Sequence, residues 1–188
     1  MTGRHGRRAG FTLLEVVITL AIVAMLAAVL TPQVLSRMTS ASSATLLSTL
    51  TGLQDAATAH RGDTGRYPQT LGQLTTEPTS GVRDSCGRLV PGSALDAWSG
   101  PYLDRNVATT GIEIGGSVIA ATVRRVPATY SDVGTLYIDV TGVDKEVADE
   151  MERSMDGTID YANGSILWSQ VGTTGRGTLS LASPVRGC

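Results

Sequence analysis

A single carboxylate, Glu15, stands inside a long apolar run, and no other residue of the chain sits in a setting that so plainly demands a chemical reason. A charged side chain in a membrane helix costs on the order of 2.5–3.5 kcal/mol near the helix centre and marks a functional site by default. The alternative is that Glu15 lies close enough to the interface to stay solvated. Two histidines (His5, His60) and two cysteines (Cys86, Cys188) make up the rest of the reactive set. They are too scattered for the short ligand spacings of a structural zinc site. His60 could be combined with a serine and an aspartate on paper, but no Gly-x-Ser-x-Gly elbow is present, so no catalytic residue is expected. No Gly-rich Lys-Ser/Thr phosphate loop is present either. Asp156, Asp160 and Asn163 offer oxygen ligands at a spacing open to calcium. The EF-hand spacing is absent, and Asp or Asn beside Gly is also ordinary turn chemistry. No other metal or cofactor is expected. With 15 basic and 17 acidic residues the formal charge is −2, so no basic excess marks a nucleic-acid binder.

Those residues have to be positioned by the elements around them. From Val16 to Leu30 every residue is apolar except Thr19. Together with Phe11 to Leu14, the stretch 11–31 has the length of a helix that spans a hydrocarbon core. Arg4, Arg7 and Arg8 precede it without a compensating acid. That places the N-terminus in the cytoplasm and everything after Pro32 across the membrane. A cleaved secretory signal would need small residues spaced A-x-A after the run, and residues 26–32 lack them. A plain signal anchor explains the length and the arginines but not Glu15. A filament-forming anchor needs Glu15.

The segment Arg7-Arg8-Ala9-Gly10-Phe11-Thr12-Leu13-Leu14-Glu15-Val16-Val17-Ile18, followed by the apolar run and Pro32, resembles the type IV pilin-like family. That family comprises the pilins of type IV pili and the pseudopilins of type II secretion systems. The resemblance implies that a prepilin peptidase cuts between Gly10 and Phe11 on the cytoplasmic face and that Phe11 is then N-methylated. It implies that Glu15 of one subunit neutralises the terminal amine of a neighbour. Such a pair in apolar surroundings is favoured over either charge alone. It would also set the axial register of an incoming subunit, as a single buried polar group does elsewhere. The partners implied are other copies of the chain in a helical filament, the peptidase, an inner-membrane assembly platform with a separate ATPase, and other minor pilins or pseudopilins.

Beyond Pro32 the pattern becomes amphipathic. Leu35, Met38, Leu46, Leu50, Leu53 and Ala57 recur at spacings near three and four, with Ser42 filling the gap and Ser43 on another face. This predicts a helix to about His60, ending before Gly62 and Gly65. Counted from Phe11 it would reach about 75 Å. Pro32 predicts a modest kink; the family resemblance implies instead a segment that melts on assembly. The expected organisation is a leader at 1–10, a transmembrane and filament-core helix at 11–31, its amphipathic continuation at 32–61 and a head domain at 62–188.

In the head, Gly65-Arg66-Tyr67-Pro68-Gln69-Thr70-Leu71 and the segment 94–103 resemble two short pseudopilin motifs, with Ala97 where the family has proline and Ser99 ahead of the glycine. Tyr67, Trp98 and Tyr102 read as aromatic anchors in an aromatic-poor chain. Strands are expected at 117–126, 135–140, 166–171 and 178–181. A helix is expected at 144–155, capped by Asp144, stopped by Gly157, with Val147, Met151 and Met155 on one face. The fold class is therefore α+β, a long N-terminal helix packed on a mostly antiparallel sheet. Across the membrane an oxidising compartment favours a Cys86–Cys188 disulfide. The alternative is two separate thiols. The expected function is a structural subunit of a type IV filament, most readily a pilin, major or minor. A type II secretion pseudopilin is the alternative within the family, and a membrane-anchored extracellular enzyme or binding module the alternative outside it. The precursor is expected in the bacterial inner membrane, and the assembled filament in the periplasm or at the cell surface.

Overall fold

Helix α1 (Leu13–Thr64) starts where Thr12 can cap it: the Glu15 N–H donates to Thr12 Oγ1 at 3.2 Å. The computed structural model describes residues 11–126 and 133–186, without the side chains of Leu30, Pro32 and Leu35. The chain divides into two compact units, Met1–Met38 and Thr39–Cys188.

In the first unit the polar side chains of the apolar run bond inward. Thr19 Oγ1 donates to the Glu15 carbonyl at 3.0 Å, and Thr31 Oγ1 to that of Ala27 at 2.7 Å. Hydroxyls tied to their own helix leave the apolar surface unbroken. The helix continues through Pro32.

In the second unit α1 turns one stripe inward: Ser43, Leu46, Leu50, Leu53, Ala57 and His60 are buried. Two expectations are corrected. Ser43 fills the gap rather than Ser42, its hydroxyl donating to the Ser40 carbonyl at 3.0 Å. Met38 is 61% exposed, so the stripe begins after it. The helix also passes through Gly62 and ends at Thr64. Gly65 then takes φ +69 and its N–H donates to the Arg61 carbonyl at 2.8 Å, a left-handed stop that glycine permits.

Two short helices, α2 (Gly72–Thr75) and α3 (Gly92–Asp96), precede a sheet of β1 (Gly111–Ile114), β2 (Ser117–Val126), β3 (Val133–Asp144), β4 (Ile166–Gln170) and β5 (Arg176–Arg186). The spatial order is β1-β2-β3-β5-β4, every neighbour antiparallel. Helix α4 (Lys145–Met155) follows β3. The apolar sides of α1, α4 and the sheet share one core, with Leu50, Leu53, Ile119, Val140, Met151, Ile166 and Leu179 fully or almost fully buried. The family-like fold class expected above, α+β with an antiparallel sheet, is the one observed.

β2 spans the expected residues and β4 stops one residue short, whereas β3 and β5 run longer than their apolar patterns. β3 continues past Val140 because Gly142 (φ +76) absorbs a register shift between Thr141 and Val143. β5 tolerates Pro184 because the β4 ladder ends at Leu181 and only one further bond follows on that side, from Ala182 N–H to the Ser165 carbonyl at 2.7 Å; from Ser183 onward the strand ladder runs on the β3 side. Asp144 does not cap α4 with its side chain; it pairs with Arg176 at 2.9 Å instead.

Candidate assembly surface

The first part of α1 presents apolar side chains on every face. Phe11 is 84% exposed, Leu20 63%, Met25 71% and Val29 64%. A helix apolar all round is covered by lipid or by other helices. Among the described residues no helix is long and apolar enough to cross a membrane.

Glu15 lies in the first turn of this helix, where the dipole favours an acid. Thr12 and Glu15 form half of a capping box, and the pattern Thr12-x-x-Glu15 could have announced it. The bond is made by the Glu15 backbone N–H, so the local role of the Glu15 side chain is that of an acid in the first turn. Gly10 lies outside the described residues, and Phe11 is exposed just before the helix. The Pro32 backbone is helical.

The two pseudopilin-like motifs meet at the far end of α1. The Asp63 carboxylate accepts from Ser99 Oγ at 2.5 Å and from the Tyr102 hydroxyl at 2.8 Å. Both bonds hold its pKa below the ordinary value. The Tyr102 ring packs edge-on against His60 and Trp98, and Trp98 Nε1 donates to the Gln73 carbonyl at 3.0 Å. The His60 Nδ1 lies 2.9 Å from the Arg66 carbonyl and must donate to it; burial holds the ring below its ordinary pKa. So Ser99, Asp63 and His60 do converge, but the serine bonds the aspartate and not the imidazole. That is not the order of a nucleophilic triad. The first motif also completes the sheet: Leu71 N–H donates to the Ala121 carbonyl and Val123 N–H to that of Gln69, both at 2.8 Å, beside the β2 register shift.

Asp84, which no motif or spacing singles out, is 1% exposed. It accepts from Arg66 Nη1 at 2.8 Å, from Arg88 Nε at 3.3 Å, and from the N–H groups of Cys86 and Arg88 at 3.0 and 2.9 Å. This carboxylate organises the loop that carries Cys86, which is buried and disulfide-bonded. Cys188 lies outside the described residues.

Asp156, Asp160 and Asn163 share one turn. Asp156 Oδ2 accepts the N–H groups of Ser165 and Ile166 at 2.9 and 3.0 Å, which outweigh burial and hold its pKa low. Asp160 accepts from Ala162 N–H at 3.2 Å and Asn163 Nδ2 at 2.9 Å. These oxygens are engaged as turn acceptors, and among the described residues no group of three or more His, Cys, Asp or Glu is placed to hold a metal ion. Under the turn lies Glu152 of α4, fully buried. One of its oxygens accepts the Asp160 N–H at 2.5 Å; the other has no partner among the described residues. Burial, with Asp156, Asp160 and Asp149 nearby, pushes its pKa up.

Residues 5–31 match the family model described as the prokaryotic N-terminal methylation motif. The chain is 31% identical over 104 residues to a type II secretion system core protein G of Aeromonas hydrophila, a match covering 51% of this chain and 71% of that one. No solved structure gives a significant match. The methylation motif heading an all-round apolar helix, the antiparallel α+β head and the protein G relative agree, and the chain belongs to the type IV pilin and pseudopilin family of structural filament subunits.

Proposed function

We propose that the chain is a pseudopilin-type subunit of a type II secretion filament, made as a single-pass inner-membrane precursor with a cytoplasmic N-terminus. The observation that carries this choice is its likeness to the type II secretion system core protein G. The peptidase cuts between Gly10 and Phe11 and methylates Phe11. Glu15 then meets the new amine of an adjacent copy, and the apolar helices replace lipid contacts with contacts to one another. A charge pair formed away from water is strong only when both members are present, so it selects the correct axial stagger. The subunit transmits force supplied by a separate ATPase through the assembly platform.

A second reading, a surface pilin, is favoured by one observation: about half of this chain lies outside the match to the relative. Deleting the chain separates the two. Loss of exported enzymes with surface fibres intact supports the pseudopilin; loss of sheared fibres with export intact supports the pilin. Mass spectrometry of the native N-terminus tests the shared part. A chain starting at methylated Phe11 is expected. One retaining Met1 would overturn filament processing and favour a membrane-anchored enzyme or binding module.

A further inference from the structure

The turn between α4 and β4 holds Asn163 and Gly164, both exposed. Gly164 takes φ +110, and a Cβ there would lie 2.5 Å from Asp156 Oδ2. The fold therefore demands glycine after Asn163. The Gly164 N–H makes no hydrogen bond among the described residues, while the neighbouring Ser165 and Ile166 N–H groups are held by Asp156. A backbone nitrogen without a hydrogen bond among the described residues, on a residue that lacks a side chain, thus follows an exposed asparagine.

We propose that Asn163 is a site of self-deamidation that acts as a slow chemical clock on the head domain. The Gly164 nitrogen gives its proton to a solvent base and bonds to Asn163 Cγ. The Cγ–Nδ2 bond breaks and the nitrogen leaves as ammonia, giving a five-membered succinimide. Water then opens the ring at either carbonyl, leaving aspartate or isoaspartate. The step needs only water and a base.

The product does not fit the turn. Asn163 Nδ2 donates to Asp160 Oδ2 at 2.9 Å; a carboxylate in its place has no proton to give and repels Asp160. Isoaspartate also lengthens the backbone between Asp160, whose N–H rests on buried Glu152, and the Ser165–Asp156 contact. Conversion therefore loosens the cover over Glu152.

The test ages the purified full chain in detergent, or assembled filaments, in mildly alkaline buffer before peptide mapping. The other asparagine, Asn106, precedes β-branched Val107 and is the internal reference. The Asn163 peptide should gain one mass unit, with isoaspartate in excess, at least about tenfold faster than the Asn106 peptide, whose neighbour crowds the attack. Asn163→Ser should abolish the gain. Conversion no faster than at Asn106, or only after unfolding in urea, overturns the proposal. So does a glycan-sized mass on Asn163, which the spacing Asn163-Gly164-Ser165 also permits.

Discussion

The Tyr102 hydroxyl donates to the Asp63 carboxylate at 2.8 Å, joining the last turns of α1 to the segment after α3. The same hydroxyl accepts the Ser99 N–H at 3.0 Å, and Ser99 Oγ bonds the same Asp63 oxygen. The second motif is thus joined to the end of α1 by three hydrogen bonds that share the Tyr102 hydroxyl or the Asp63 carboxylate.

Asp63→Asn tests that joint. Its two hydroxyl donors depress the carboxyl pKa below the ordinary 3.8. A depressed folded value contributes stability that is present above the ordinary value and lost as pH falls through the folded one. The variant should melt slightly below the parent at neutral pH, with the gap closing in strong acid. The effect is small because Asp63 is exposed. A gap of equal size at both pH values would refute the charge-based account.

Glu152→Gln should act the other way. Burial raises the Glu152 pKa above the ordinary 4.5, so its contribution is full below that value and is lost as pH rises through the folded one. Glutamine keeps an oxygen for the Asp160 N–H and removes the charge. The variant should be more stable than the parent at mildly alkaline pH and close to it near the ordinary carboxylate pKa. His60, held below its ordinary 6.5 by burial, gives stability that is lost as pH falls from 6.5 towards its folded value. Thermal melts of Glu152→Gln and the parent across pH isolate the Glu152 slope from that of His60, which both proteins share; parallel curves would count against the buried acid.

What was legible in the sequence depended on local pattern. The helix over the apolar run and β2 are carried by local composition, the stripe Leu46-Leu50-Leu53 and the span of α4 by periodicity, and all are observed. β1 is only four residues long and is held by its pairing with β2. The extension of β5 through Pro184 depends on which neighbour ends first. Asp144 fits an N-cap by pattern, but Arg176, distant in sequence, takes its carboxylate. Asp63 and Asp84 acquire their roles from partners brought by tertiary folding, which spacing does not reveal. Thr12 was legible, since Thr-x-x-Glu is a local signal.

The disulfide at Cys86 gives a covalent test. With Cys188 as its partner it closes a loop of about a hundred residues, worth up to about 4–5 kcal/mol in the chain-entropy model. Cys188→Ser should leave Cys86 open to alkylation once the protein is denatured without reductant, and lower the melting temperature. If Cys86 stays blocked in that variant, its partner lies elsewhere. A disulfide-linked dimer on a non-reducing gel of the parent would point to a second copy.

The place of Glu15 in the first turn of α1 and the assembly role proposed for it can be separated by substitution. As a first-turn residue capped by Thr12 it supports the helix start; as a buried charge it would meet a neighbour's amine. Glu15→Gln retains capping chemistry, since glutamine also serves at that position, but removes the charge. Thr12→Val removes the cap, at about 1 kcal/mol, and leaves the charge. If neutralisation drives assembly, Glu15→Gln should abolish filament growth without a wild-type copy, while its precursor is still inserted and cleaved. Thr12→Val should then assemble with only a modest loss. The reverse ranking, read from sheared filaments and from the cleaved fraction in membranes, would make Glu15 a helix-start residue and remove the charge pair from the assembly step.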